Sequence, residues 1–215
     1  VKPAGISASA EAAGQRAIAF VGDETAWVRA LAQRQPAAMA AFYDCYAPRV
    51  LRILTRILGH TQELADVHHD TFVAALESIS RLKDPSRLAA WVTSVAVLTA
   101  KGYLQKRARR RWLVFAPPEA LGESTPSEGG ADPLEQEALR AAYRVFDQMP
   151  TEERVVFVLR FVEGMRLLEV AEACSVSLAT AKRRLLRAES LFVTAAKHEP
   201  SLLPWLARGV TWNRS

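Results

Sequence analysis

Apolar residues recur every three or four positions along nearly all of this chain, and nowhere do they alternate one by one over the length of a strand. That period belongs to helices that bury one stripe, so it points to an all-α fold. From about Trp27 to Trp112 the breakers are few: Pro36, Pro48, Gly59, the Asp84-Pro85 turn and Gly102. Phe42, Tyr46, Val50, Ile53, Leu54 and Ile57 keep helical spacing, and Leu64, Val67, Phe72, Leu76 and Ile79 do so in the next helix. A third helix follows Asp84-Pro85-Ser86, carries Leu88, Trp91, Val95, Leu98 and Leu104, and runs out into bases.

The character changes over Leu113 to Leu139, which holds four prolines, three glycines and six acidic residues with no basic one. Such a stretch reads as a flexible acidic linker between two helical domains. The predicted organisation is an N-terminal extension over 1–26, a first domain over 27–112, a linker over 113–135, a second domain over 136–195 and a tail over 196–215. The second domain has predicted helices near 136–148, 152–162, 167–174 and 178–195, and the tail can add a short one. Val1 in place of an initiator Met suggests a processed or trimmed chain.

Several classes of function are disfavoured. The longest apolar run, Leu88 to Ala100, is 13 residues and too short to span a bilayer, and no signal-peptide run follows Lys2. A soluble, cytoplasmic protein without membrane insertion is expected. Cys45 and Cys174 belong to no paired motif and read as buried small hydrophobes. His68 and His69 beside Asp66 and Asp70 put too few ligands on one helix face for a metal. No glycine-rich phosphate loop or nucleophile motif occurs, so no catalytic residue, no cofactor and no small-molecule substrate are expected.

The segment from Glu169 to Ala188 has the layout of a helix-turn-helix. Small Ala171 lets the helices cross closely, Val176 plugs the turn, and Ser177 suits the N-cap of the second helix. On that helix Ala181, Leu185, Ala188 and Phe192 share the core face. Lys182, Arg183, Leu186 and Arg187, with Thr180 near the helix start, share another that can meet base edges and phosphates in a major groove. Ser175 stands where the turn wants a residue tolerant of positive φ, at a strain of order ~1 kcal/mol. The plainer reading is a helical hairpin with a solvated basic face.

A second basic site lies at the end of the third helix. Lys101, Lys106, Arg107, Arg109, Arg110 and Arg111 run without an acid between them, with Tyr103 and Trp112 interleaved. Cations neutralise phosphates while rings stack on unpaired bases, so the pairing suits nucleic acid. The whole chain carries 28 Lys+Arg against 23 Asp+Glu, a balance of +5 that agrees with an acidic partner.

Two blocks together resemble the extracytoplasmic-function (ECF) sigma factors of the sigma-70 family. Glu63 to Leu76, with Leu88 to Leu104, is similar to their region 2; Met149 to Gly164, with the helix-turn-helix, is similar to their region 4. The resemblance implies a subunit that binds core RNA polymerase, reads the minus-thirty-five element as duplex through region 4 and captures the melted minus-ten element through region 2. It places Asp66, His69 and Asp70 on the polymerase, and Lys182, Arg183, Leu186 and Arg187 on the minus-thirty-five duplex. The loop from Leu82 to Arg87 and the helix after it, with Trp91 as an aromatic wall, fall on the minus-ten strand. An anti-sigma factor is an implied partner.

Ser94, Val97 and Leu98 stand where family members often carry basic or amide residues. Leu98 either completes the Trp91, Val95 stripe as core or faces the DNA side as an apolar residue. The alternative is therefore a sigma-like protein that no longer opens promoters and acts as a decoy for an anti-sigma factor. A plain helix-turn-helix regulator comes third, leaving the region 2 block unexplained, and an enzyme last.

Overall fold

The computed structural model describes residues 23–114 and 132–207, the side chains of 111–114 excepted. Among the described residues every regular element is helical. Helix α1, Glu24–Ala32, begins where the Asp23 carboxylate accepts from the Ala26 N–H at 2.8 Å. It lays Trp27 and Leu31 on the core, and the Trp27 indole donates to the Ala38 carbonyl. Helix α2, Pro36–Leu58, starts with a proline at its first position and runs straight through Pro48. A proline inside a helix costs about 3 kcal/mol. The fully buried stripe of Phe42, Val50, Ile53, Leu54 and Ile57 offsets it, each side chain contributing roughly 1.5 to 3 kcal/mol.

Helix α3, Leu64–Ser78, turns Val67, Thr71, Phe72 and Ala75 inward, the Thr71 hydroxyl donating to the Val67 carbonyl. Two 3-10 turns, Ile79–Arg81 and Pro85–Arg87, lead to the long α4, Leu88–Val114, which packs on α2 and α3. α1 closes one end of this bundle over the two turns.

The second half opens with α5, Pro133–Gln148, capped by the Asp132 carboxylate on the Leu134 N–H. It thus takes in residues 133–135, which the sequence assigned to the linker. Then come α6, Thr151–Phe157, a π turn over Val158–Val162, α7, Leu167–Ala173, and α8, Leu178–Ala196. Phe146, Phe157 and Phe192 meet with ring centroids 4.6 to 5.7 Å apart and form its centre. A last 3-10 turn, Pro200–Leu202, folds back onto α5, where Arg144 binds Glu199 and Glu137, and the short α9, Leu203–Ala207, continues from it.

The two halves pack on each other. α4 lies against α6 and α7, and the C-terminal end of α2 is completed by side chains of the second half. Carbonyls in the last turn of a helix lack intrahelical donors. Arg154, 2% exposed, supplies them: its Nε donates to the Ile57 carbonyl at 2.8 Å and its Nη2 to that of Leu58 at 3.2 Å. Asp147 holds the same guanidinium at 2.5 Å. Burial pulls the Arg154 pKa down and the Asp147 carboxylate opposes it. The Tyr143 hydroxyl donates to the Thr55 carbonyl, and its ring covers Gly59, where a Cβ would come within 3.2 Å.

One expectation needs correction. Cys174 is buried, and burial pushes its thiol up to about 11, but Cys45 is exposed. It sits at the margin of the stripe that Phe42, Val50 and Ile53 turn inward, where nothing packs over it closely enough to bury it.

Candidate nucleic-acid interface

The helix-turn-helix is formed by α7 and α8. Ala171 is buried at their crossing and Val176 packs on the core from the turn. Ser175 takes φ +55, the left-handed conformation the turn demands of it. The Ser177 hydroxyl accepts from the Thr180 N–H at 3.2 Å and lies 2.9 Å from the Thr180 hydroxyl. Ala181, Leu185, Ala188 and Phe192 are all buried, which fixes the rotation of α8 and turns Lys182, Arg183, Leu186 and Arg187 outward.

Lys182 and Arg183 have no ion pair among the described residues. Arg187 is 68% exposed and reaches Glu153 only at 3.6 Å. Arg184, one position along, turns inward instead, its Nη1 lying 2.6 Å from Glu152.

The basic end of α4 behaves differently. Lys106, Arg109 and Arg110 are exposed, whereas Lys101 and Arg107 turn into the junction between the halves. Lys101 Nζ lies 2.9 Å from Glu152, the carboxylate that also holds Arg184. Arg107 lies 3.8 Å from Asp147. The side chain of Arg111, like that of Trp112, lies outside the described residues. Tyr103 spends its hydroxyl on Glu63, at 3.0 Å, and lies 3.1 Å from the Thr61 hydroxyl. Hydrogen bonds from Thr61, the Glu63 backbone and Tyr103 hold the Glu63 carboxyl below its usual range.

The loop before α4 is built on Asp84, whose Oδ1 accepts from the Ser86 N–H at 3.0 Å and the Ser86 hydroxyl at 2.7 Å. Side chains of Lys83, Asp84, Ser86 and Arg87 are exposed, and Arg87 reaches Glu172 on α7 at 2.7 Å. Trp91 is half-buried against the core. Val97 is wholly buried, while Leu98 is 48% exposed, so Leu98 lies on the surface of α4 and does not continue the core stripe. On α3, Asp66, His69 and Asp70 are exposed together, and neighbouring His68 turns aside to pack on Tyr43 and Phe72 with its Nε2 3.1 Å from the Ala47 carbonyl.

Sequence reasoning missed Arg52, Arg56 and their anchor Glu163. Arg56 donates to the Val162 carbonyl at 3.0 Å and to Glu163 at 2.7 Å, and Arg52 stands 3.5 Å from the same carboxylate. The signal available was a cationic stripe, Arg49, Arg52 and Arg56, at i, i+3 and i+7 on α2. Nothing local says what faces it.

Two family models match the chain and together cover more than half of it: Sigma-70 region 2 over residues 42–110, and Sigma-70, region 4, over residues 139–191. RNA polymerase sigma factor SigV of Bacillus subtilis is 26% identical over 140 residues, which is 65% of this chain and 80% of that protein. The ECF RNA polymerase sigma-E factor of Haemophilus influenzae is 25% identical over 181 residues, 78% of this chain and 92% of that one. Two solved structures share the fold. The sigma factor RpoE in complex with the anti-sigma factor NepR, from Bartonella quintana, aligns at TM-score 0.55 and 17% identity, covering 73% of this chain and 94% of that one. CnrH in complex with the cytosolic domain of CnrY aligns at TM-score 0.53 and 22% identity, covering 80% and 96%.

Proposed function

The chain belongs to the sigma-70 family as an ECF-type RNA polymerase sigma factor, and from that premise we propose which of its surfaces meets each partner in transcription initiation. α8 enters the major groove of the minus-thirty-five duplex with Thr180, Lys182, Arg183, Leu186 and Arg187. The loop from Leu82 to Arg87, Trp91 and the basic end of α4, from Lys101 to Arg111, take the melted minus-ten strand. Asp66, His69 and Asp70 dock on core polymerase. The observation that carries this reading is the rotation of α8: four buried residues leave its cationic row facing outward.

One of the solved structures is a complex with an anti-sigma factor, and we extend such a partner to this chain. The residues chosen neutralise phosphates and read base edges and form no covalent intermediate, so the protein acts without catalysis of its own. No described helix is long and apolar enough to cross a membrane, and the protein works where polymerase does, in the cytoplasm.

Leu98 supports a second reading. An apolar surface residue cannot read an extruded base by hydrogen bonds, which favours a decoy that binds an anti-sigma factor without opening promoters. Run-off transcription with purified core polymerase over a promoter library, followed by permanganate footprinting, separates the two. Initiation predicts transcripts and reactive thymines near minus ten. Firm polymerase binding without opening on any promoter would hand the case to the decoy. Reversing Asp66 and Asp70 to lysine should abolish co-purification with core polymerase while far-ultraviolet circular dichroism is unchanged; retained co-purification removes them from the polymerase site.

A further inference from the structure

Of the cations that α8 turns outward, Arg187 alone has an anion behind it among the described residues. α6 packs along α8 and offers it two consecutive carboxylates from its first turn. Glu152 draws Arg184 inward, at 2.6 Å. Glu153 stands with its Oε1 3.6 Å from the Arg187 Nε. Glu153 is 7% exposed, so its carboxylate is fixed within the domain while the guanidinium of Arg187 reaches into solvent. We propose that Glu153 is a positioning residue for minus-thirty-five recognition: it draws the Nε edge of Arg187 inward, so that the two Nη groups face the duplex and meet a guanine. This rests on the assignment of α8 to the duplex under Proposed function, and it adds the residue that sets how sharply Arg187 discriminates.

A buried carboxylate is costly unless a cation answers it, and Arg187 is the one cation in ion-pair reach of Glu153 among the described residues. The start of α6 adds the partial positive charge of a helix N-terminus, which favours the ionised carboxylate. At 3.6 Å the pair is too long for a hydrogen bond and acts as an attraction, so Arg187 keeps its N–H donors for a partner from outside. A free arginine on a helix surface samples many rotamers and loses that freedom on binding. One drawn toward a fixed anion has part of the loss behind it already. Guanine offers two acceptors, O6 and N7, on one edge, and a guanidinium meets both only when it is set to that edge. Burial also keeps the carboxylate from presenting its charge to the phosphates. Lys182 and Arg183 have no such anion, which suits contacts to phosphate that carry no sequence information.

The test binds the full-length chain, parent or variant and assembled with core polymerase, to a pool of duplexes that carry a randomised block. The bound fraction is sequenced, and affinities are measured on the most enriched duplex and on a scrambled one. Glu153→Gln removes the charge and keeps the size; Glu153→Met also removes the polar group and so needs no partner when buried. Each should reduce the preference for the enriched duplex by roughly three- to tenfold, part of what the loss of a whole base contact costs. Affinity for the scrambled duplex should not fall, since no phosphate contact is lost. In an Arg187→Ala background, Glu153→Gln should change the preference by less than about twofold, because its effect passes through the arginine.

If both Glu153 variants keep the parent's preference while Arg187→Ala loses it, the proposal is overturned and the reading of α8 stands. An equal fall on enriched and scrambled duplexes, or an effect of Glu153→Gln that persists without Arg187, overturns it too, since either marks Glu153 as a support of the whole helix. A parent that enriches no sequence, or Arg187→Ala with the parent's preference, removes Arg187 from base reading and the proposal with it.

Discussion

The molecule has two basic surfaces that look alike in sequence and differ in what the fold does with them. On α8, Lys182, Arg183 and Arg187 stand in solvent, with one long contact to Glu153 among them. On α4, Lys101 and Arg107 are turned into the junction and paired with carboxylates of the second half. The difference comes from what each helix buries. α8 packs one face on α6 and α5 and leaves the opposite face open, whereas α4 is sandwiched, with α2 and α3 on one side and α6 and α7 on another. A cation on a helix buried from several sides has few directions left that are not already occupied. The lesson is that a run of bases reports charge, and the packing of its helix decides whether that charge is offered outward or held within the chain.

The strongest way to break this contrast is to remove what holds the junction. Arg154→Ala strips the donors from the Ile57 and Leu58 carbonyls and leaves Asp147 without its closest partner. Losing one member of a buried, hydrogen-bonded pair costs about 3 to 5 kcal/mol. Urea denaturation should show a loss of that size, together with a larger radius of gyration in the remaining folded chain. A loss under about 1 kcal/mol would mean that the guanidinium is dispensable and the halves are held otherwise.

The contrast between the two surfaces can also be sharpened on the open side. Arg187→Ala should cost about 1 to 3 kcal/mol on a specific minus-thirty-five duplex and relax specificity, as expected when an Arg that meets a guanine edge bidentately is lost. Lys182→Ala should weaken specific and scrambled duplexes alike and reduce the salt dependence. Titrations of both variants at two salt concentrations check this. Equal loss on specific and scrambled duplexes for Arg187→Ala removes its reading role.

Much of the fold was legible because it is local. Helical spacing gave the all-α class and the four helices of the second half to within a few residues, and the buried row of Ala181, Leu185, Ala188 and Phe192 follows from that spacing. Ser177 as a cap and Ser175 as a positive-φ residue were readable because both properties belong to a few consecutive residues. What escaped is non-local. The partners of Arg52, Arg56, Lys101 and Arg107 lie 40 or more residues away, and no periodicity within α2 or α4 contains Glu163, Glu152 or Asp147. Cys45 and Leu98 were misjudged or left open for a smaller reason: each sits at the margin of a stripe, where one residue of helix rotation decides between core and surface.

A milder disturbance of the junction comes from Gly59, which ends α2 at φ +82 with the Tyr143 ring across it. An alanine there must adopt a positive-φ extended conformation that is essentially glycine's alone, at about 1 to 3 kcal/mol, and bring its Cβ against the ring. Gly59→Ala should therefore lower stability by about that amount and enlarge the radius of gyration of the folded chain, though less than Arg154→Ala does. Reduced stability with an unchanged radius of gyration would separate the turn's strain from the packing of the halves.

The smallest effect is predicted at another positive-φ turn, the one that leads into the open surface. Ser175 holds φ +55 between α7 and α8 and is exposed, its N–H donating to the Glu172 carbonyl at 3.0 Å. Glycine removes the steric penalty of a left-handed residue, about 1 to 2 kcal/mol, but adds freedom to the unfolded chain worth roughly 0.5 to 1 kcal/mol. The difference leaves Ser175→Gly more stable by up to about 1 kcal/mol, a rise in Tm of roughly 2 to 4 °C per kcal/mol for a chain of this size. Because the turn keeps its geometry, α8 should keep the rotation that turns Lys182, Arg183 and Arg187 outward, and minus-thirty-five affinity should be unchanged. Calorimetry and duplex titration together check the pair of expectations. A lower Tm would mean that the serine makes a favourable contribution in the turn that outweighs its strain, and altered duplex affinity would mean that the turn sets the pitch of α8 in the groove.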